Sequence, residues 1–167
     1  LNGSPINTIA ITEFLQMYKK EIELIDASFF EIITVMALWY FKKNNVDIAI
    51  METGLGGRLD SVTVCNPVLT IITPISLDHT EILGDSIEKI AYEKAGIMKA
   101  GVPCITAHQQ ETVYSVLQQH ASNLNCELIR THRNILHNIN PSLIGKYQFE
   151  NACLATTSLQ FLQGFNV

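Results

Sequence analysis

The sequence predicts an α/β fold built on a mostly parallel, doubly wound sheet, and three observations carry that expectation. Residues 46–51 (VDIAIM) and 68–75 (VLTIITPI) are short β-branched runs with little alternation, as strands covered on both faces require. Segments of helical period follow, so strands and helices alternate along much of the chain. Polar and ionisable residues stand directly after both apolar runs, and sheets of this kind place their chemistry at the carboxyl ends of their strands.

The chain opens on Leu1-Asn2-Gly3-Ser4-Pro5, a turn composition without a Met. Ile9, Phe14, Leu15, Met17, Tyr18, Ile22 and Ile25 then recur at mixed spacings of three and four, predicting an amphipathic helix over 8–25 with Thr8 or Thr12 as its cap. Residues 29–41 are apolar almost all round, which suits a central helix packed on several sides. Glu31 falls in its first turn, where the helix dipole favours a carboxylate, and Lys42-Lys43 fall at its negative end. After the strand at 46–51, residues 58–67 have neither helical period nor propensity, and Pro67 blocks a helix there.

The strand at 68–75 precedes a helix expected over 85–99, opened by Asp85 or Ser86 and stopped by Gly101-Val102-Pro103. An Asp85 cap would put Glu88 in the capping-box position. A third strand at 104–107, a helix at 111–124, a fourth strand at 126–130 and a last helix at 150–162 complete the alternation. Residues 131–146 show no clear period, and Phe161 and Phe165 are core candidates.

A chain of 167 residues, 47% of them hydrophobic, can bury one substantial core, so one domain is expected. A net charge of −5 and a pI near 5.5 give no basic footprint, so neither nucleic acid nor an anionic membrane surface is an expected partner. Cys65, Cys104, Cys126 and Cys153 lie far apart with no C-x-x-C pair, which speaks for reduced thiols and a cytoplasmic location. No apolar run has the length of a membrane span.

Gly54, Gly56 and Gly57 directly follow a predicted strand, so backbone amides there can approach a ligand closely. The dinucleotide fingerprint does not fit, because its third glycine would fall on Leu59 and no helix begins there. Glu52 and His79 stand at the ends of successive predicted strands. A carboxylate plus an imidazole can hold a divalent cation, and Mg²⁺ would complete its shell with water and phosphate oxygens. The alternative is a turn carboxylate and a hydrogen-bonded loop histidine. On the helix after Asp85, Ile87, Ile90, Ala91, Ala95 and Met98 form an apolar stripe, and Lys94 sits within it. Such a lysine either snorkels to water or, if its ammonium is buried, becomes a neutral amine open to carbamate formation with CO₂. His108, His120, His132 and His137 share no ligand spacing.

Glu52-x-Gly54-Leu55-Gly56-Gly57-Arg58-Leu59-Asp60, then Asp78-His79, then Ile90-Ala91-x-Glu93-Lys94-Ala95-Gly96-Ile97 resemble the folylpolyglutamate synthase/dihydrofolate synthase family of the Mur ligase superfamily. His79 follows Glu52 by 27 residues and Lys94 follows His79 by 15, an order and spacing that agree with the family. The resemblance extends back to Asn2-Gly3-x-Pro5-Ile6 and Phe29-Phe30-Glu31, and forward to Leu143-x-Gly145-x-Tyr147-Gln148-x-x-Asn151-Ala152. It implies a three-layer sheet like the central Mur ligase domain, incomplete here, with Glu52 and His79 as Mg²⁺ ligands and Lys94 as the lysine found carbamylated in the family. Asn151 and Gln148 would lie beside ATP, although Tyr147 replaces a His common in that motif.

Family members phosphorylate the carboxylate of a pteroate or folate with ATP, and the amine of L-glutamate attacks the acyl phosphate. The family's phosphate loop would precede Leu1, and the chain contains no G-x-x-x-x-G-K-[ST]. Residues 1–167 are therefore expected to be a partial ATP-binding domain lacking that loop and the C-terminal domain. Such a piece would be inactive alone and prone to self-association, while the parent would be monomeric. Two alternatives stand: another Mur-type amide ligase, against which the 54–60 block speaks, and a non-catalytic nucleotide-fold module, in which Lys94 would be solvated and Glu52 and His79 far apart.

Overall fold

Asn7, rather than either threonine, opens the first helix: its Oδ1 accepts the amide of Ala10 at 2.8 Å, and α1 runs Thr8–Ile25. Thr12 already donates its hydroxyl back to the Thr8 carbonyl, which puts it inside the helix instead of at its cap. The computed structural model describes residues 1–132, 142–145, 147–162 and 164, and these divide into two units, Leu1–Gly54 and Leu55–Val167. Phe165, His137 and most of 131–146 lie outside the described residues.

In the first unit, α2 (Phe29–Lys43) starts with a complete capping box. Ser28 Oγ accepts the Glu31 amide and Glu31 Oε2 accepts the Ser28 amide. The hydroxyl and amide of Ser28 hold the Glu31 carboxyl below its ordinary pKa. α1 and α2 meet through Phe14, which is buried between the rings of Tyr18 and Trp39 at 4.9 and 5.5 Å. α2 is not enclosed as its composition suggests. Thr34 is its one buried residue among those described, and Phe29 is 77% exposed, because an all-apolar helix still needs neighbours on every side to be covered. Residues 46–51 form no strand. Propensity alone does not make one without a partner ladder, and Ile50 stands 91% exposed.

The second unit holds the sheet. β1 (Thr70–Ile72), β2 (Cys104–Thr106) and β3 (Leu128–Arg130) are parallel in that order, with Ile71 opposite Ile105 and Ile105 opposite Ile129. The crossover from β1 to β2 carries α3 (Thr80–Leu83) and α4 (Ile87–Ala95), and that from β2 to β3 carries α5 (Glu111–Asn123). Successive crossovers of one hand put α4 and α5 on the same face, where they pack together. Side chains alternate across β2, so Cys104 joins Ile90, Ala91, Ala95, Val113 and Leu117 on that face. Ile105 faces the other side with Leu154 of α6 (Gln148–Leu159) and the half-buried Phe161. The result is the expected three-layer α/β arrangement.

β2 is covered on both faces, as its sequence predicts, but β1 is covered on one only, and Ile71 remains 41% exposed. No disulfide links any of the four cysteines, and burial pushes the Cys104 thiol up to about 12. α4 is shorter than expected. It is capped by Ser86 Oγ on the Lys89 amide, Asp85 pairs with Lys89 instead of capping, and the helix ends at Gly96, ahead of Gly101. Residues 61–64 form a single 3₁₀ turn that their composition did not suggest. Among the described residues, no helix is long and apolar enough to cross a membrane.

Candidate functional site

The glycine loop is organised by Asp60. Its buried carboxylate accepts the amides of Leu55 at 3.0 Å and Val62 at 2.9 Å, tying both ends of the loop to one side chain. The Asp60 carbonyl takes the Thr63 hydroxyl at 2.6 Å, and Lys99 Nζ closes on the Thr63 carbonyl at 2.6 Å. Buried polar groups cost little when satisfied in this way. Sequence reading included Asp60 in the motif and gave it no role.

The loop lies against the end of α4. A Cβ added at Gly57 would stand 2.9 Å from the carbonyl oxygens of Glu93 and Lys94, and one added at Gly96 would stand 2.4 Å from Arg58 Cα. Only backbone without a side chain permits this approach. The Arg58 amide donates to the Glu93 carbonyl at 2.9 Å, which it shares with the Gly96 amide at the helix end. The Arg58 side chain returns to the same residue. Its Nε lies 3.1 Å from both Glu93 carboxylate oxygens, and its Nη2 lies 2.9 Å from Oε1. Hydrogen bonding and charge from Glu93 raise the Arg58 pKa further, so the guanidinium keeps its charge. Gly56, at φ +68, supplies the turn, and Gly54 lies in the first unit beneath the ring of Phe30. The three glycines thus have packing roles of their own.

His79 closes the segment that follows β1 and stands just before α3 with φ +50, the left-handed region. The other non-glycine residues there are Asn or Asp, which reach it more readily than most side chains. Asp78 accepts the His79 amide at 2.9 Å and faces the ring, with Nε2 3.7 Å from Oδ2. Gln109, buried after β2, fixes the same segment. It accepts the Ile75 amide at 2.9 Å and donates to the Thr73 carbonyl at 2.9 Å and to Thr106 Oγ1 at 3.0 Å. A Gln in a polar run gives no sequence signal, so its role shows only in three dimensions.

Lys94 is half-buried in the last turn of α4, and the exposed Glu52 belongs to the first unit. Among the described residues, neither side chain makes a hydrogen bond or ion pair. Among the described residues, no three His, Cys, Asp or Glu side chains gather to enclose a metal. Gln148 and Asn151 meet on the first turn of α6, Asn151 Nδ2 lying 3.4 Å from Gln148 Oε1. A cavity of about 210 Å³ at the carboxyl ends of β2 and β3 is lined by His108, Arg130, His132 and Glu150. Arg130 there lies 3.6 Å over the Tyr114 ring. Neither Arg130 nor the cavity was anticipated, although both histidines follow strand ends.

No protein-family model matches the chain. It is 36% identical over 196 aligned positions to the dihydrofolate synthase/folylpolyglutamate synthase of Bacillus subtilis, covering 100% of this chain and 46% of that protein. A crystal structure of folylpolyglutamate synthase from Thermotoga maritima superimposes with TM-score 0.87 at 27% identity, covering 100% of this chain and 44% of the other. The Mycobacterium tuberculosis folylpolyglutamate synthase, in structures complexed with ADP and AMPPCP, gives TM-score 0.86 at 28% identity over 99% of this chain and 45% of the other. The chain therefore spans less than half the length of these relatives.

Proposed function

Because the chain belongs to the folylpolyglutamate synthase/dihydrofolate synthase family, we propose that it forms part of the ATP-binding domain of a ligase that joins L-glutamate to a pteroate or folate. The similarity to the Bacillus subtilis enzyme along the whole chain carries this reading. ATP as co-substrate is supported by the Mycobacterium tuberculosis structures, which hold ADP and AMPPCP. In this reading the γ-phosphoryl group passes to the substrate carboxylate, releasing ADP. The glutamate amine then attacks the acyl carbon, and phosphate leaves as the amide forms.

Most of the work in such a transfer is positioning and charge neutralisation. Glu52 and His79 are assigned to Mg²⁺, which when bound would neutralise charge on the phosphoryl oxygens. Lys94, as the amine or as a carbamate, is assigned to the same cation. The backbone amides around Gly54, Gly56 and Gly57 would approach the ligand, and Gln148 and Asn151 would lie beside the nucleotide. A cytoplasmic location and a monomeric parent belong to the same reading. ADP release by the full-length protein should require ATP, a pteroate or folate, and glutamate together. Release indifferent to every pteroate and folate acceptor would reject it.

A further inference from the structure

The loop at 55–60 and the end of α4 are joined more tightly than packing of two surface segments requires. Gly57 leaves its backbone against the carbonyl of Lys94 itself, and Gly96, two residues beyond Lys94, accommodates the Cα of Arg58. Between these two close approaches the Arg58 amide and guanidinium both grip Glu93, the residue next to Lys94. The side chains of this pair are 45% and 21% exposed, so Glu93 is the better shielded partner, and the fork geometry adds direction to the attraction. Lys94 Nζ has no hydrogen bond or ion pair among the described residues, so its placement depends on its backbone.

We propose that Arg58 and Glu93 are a positioning pair, holding the Lys94 backbone against the glycine loop and thereby setting where the Lys94 amine is presented. The assignment rests on the ligase reading, in which Lys94 serves the cation site. The role assigned to the pair is positioning and requires no contact with substrate. Their effect passes through Lys94, and a small displacement of such a group slows the chemical step far more than it weakens binding.

The test compares wild-type full-length ligase with R58A, R58K, the charge swap R58E/E93R, and K89A as a control. K89A breaks only the exposed Asp85–Lys89 pair on the same helix. R58A should lower kcat about tenfold or more, as misplacement of an active-site group does. KM for ATP should stay within about twofold, marking lost positioning and not lost binding. R58K, which replaces a fork by a point charge, should fall between R58A and wild type. The charge swap should recover part of the R58A loss, and K89A should match wild type. Hydrogen exchange at the residue 58 amide should quicken in R58A. Wild-type kinetics in an R58A protein with quickened exchange would overturn the proposal alone. So would a fall in kcat that merely follows the folded fraction measured by circular dichroism. Absence of ATP-dependent turnover in the wild type would sink the ligase reading and this proposal together.

Discussion

Glycine at 96 looks at first like an ordinary helix stop, yet its φ of −61 is one any residue adopts. Contact, not conformational freedom, demands it, since a methyl group would meet the Arg58 backbone at 2.4 Å. Gly96→Ala should therefore cost about 1–3 kcal/mol, as overpacking does, read as a lower urea midpoint at unchanged slope. A midpoint at the wild-type value would mean that the loop yields freely. Gln109 makes the opposite kind of contribution, through bonds whose loss strands their partners. Gln109→Leu leaves the Ile75 amide and the Thr73 carbonyl without the bonds that Gln109 supplies, and should cost about 3 kcal/mol in the same measurement. The two cases also show what a sequence carries. Gly57 and Gly96 were visible as motif glycines, but the reason for them was not, because each is needed by a backbone 35 or more residues away. Gln109 gave no signal at all, since its partners Thr73 and Ile75 are neighbours only once β1 and β2 pair.

Elements were legible where local signals and environment agree. α1, α2, α5 and α6 fall close to their apolar periods, and β2, with both faces covered, sits where its run predicts. The run at 46–51 shows the limit. Its composition is that of a strand, but pairing is a property of two segments, and propensity does not supply the second. α4 ends early because the Arg58 amide and the close approach at Gly96 terminate it before the glycine and proline that the sequence offered as a stop. The start of α2 gives a prediction. Ser28→Ala removes the hydroxyl that accepts the Glu31 amide and should cost about 1 kcal/mol. The folded-state pKa of Glu31 is lowered, so its contribution is present above the unfolded carboxyl pKa and lost as pH falls through the folded value. Thermal melts should show the gap between wild type and Ser28→Ala narrowing on acidification. A gap that widens in acid would contradict the capping box.

At the scale of the molecule, apolar exposure is uneven. Ile9, Leu24, Ile50 and Phe29 are each at least 77% exposed in the first unit, whereas the α4–α5 face of the sheet is closed. Exposed apolar surface of this kind favours self-association. Light scattering of the chain should give a mass above 18.6 kDa that rises with concentration, and a constant monomer mass would contradict it. The doubly wound sheet was readable from β–α alternation. The cation assignment was not readable from periodicity, because Glu52, His79 and Lys94 are linked by resemblance to the family and by no local pattern.

The acyl phosphate is the centre of the functional account, and oxygen labelling tests it most directly. The full-length protein should be given ATP, glutamate and a folate whose acceptor carboxylate carries ¹⁸O, and the released phosphate analysed by mass spectrometry. One labelled oxygen in the phosphate for each amide formed is the expected result, since the carboxylate oxygen that takes the phosphoryl group leaves with it. Amide formed with unlabelled phosphate would contradict the account.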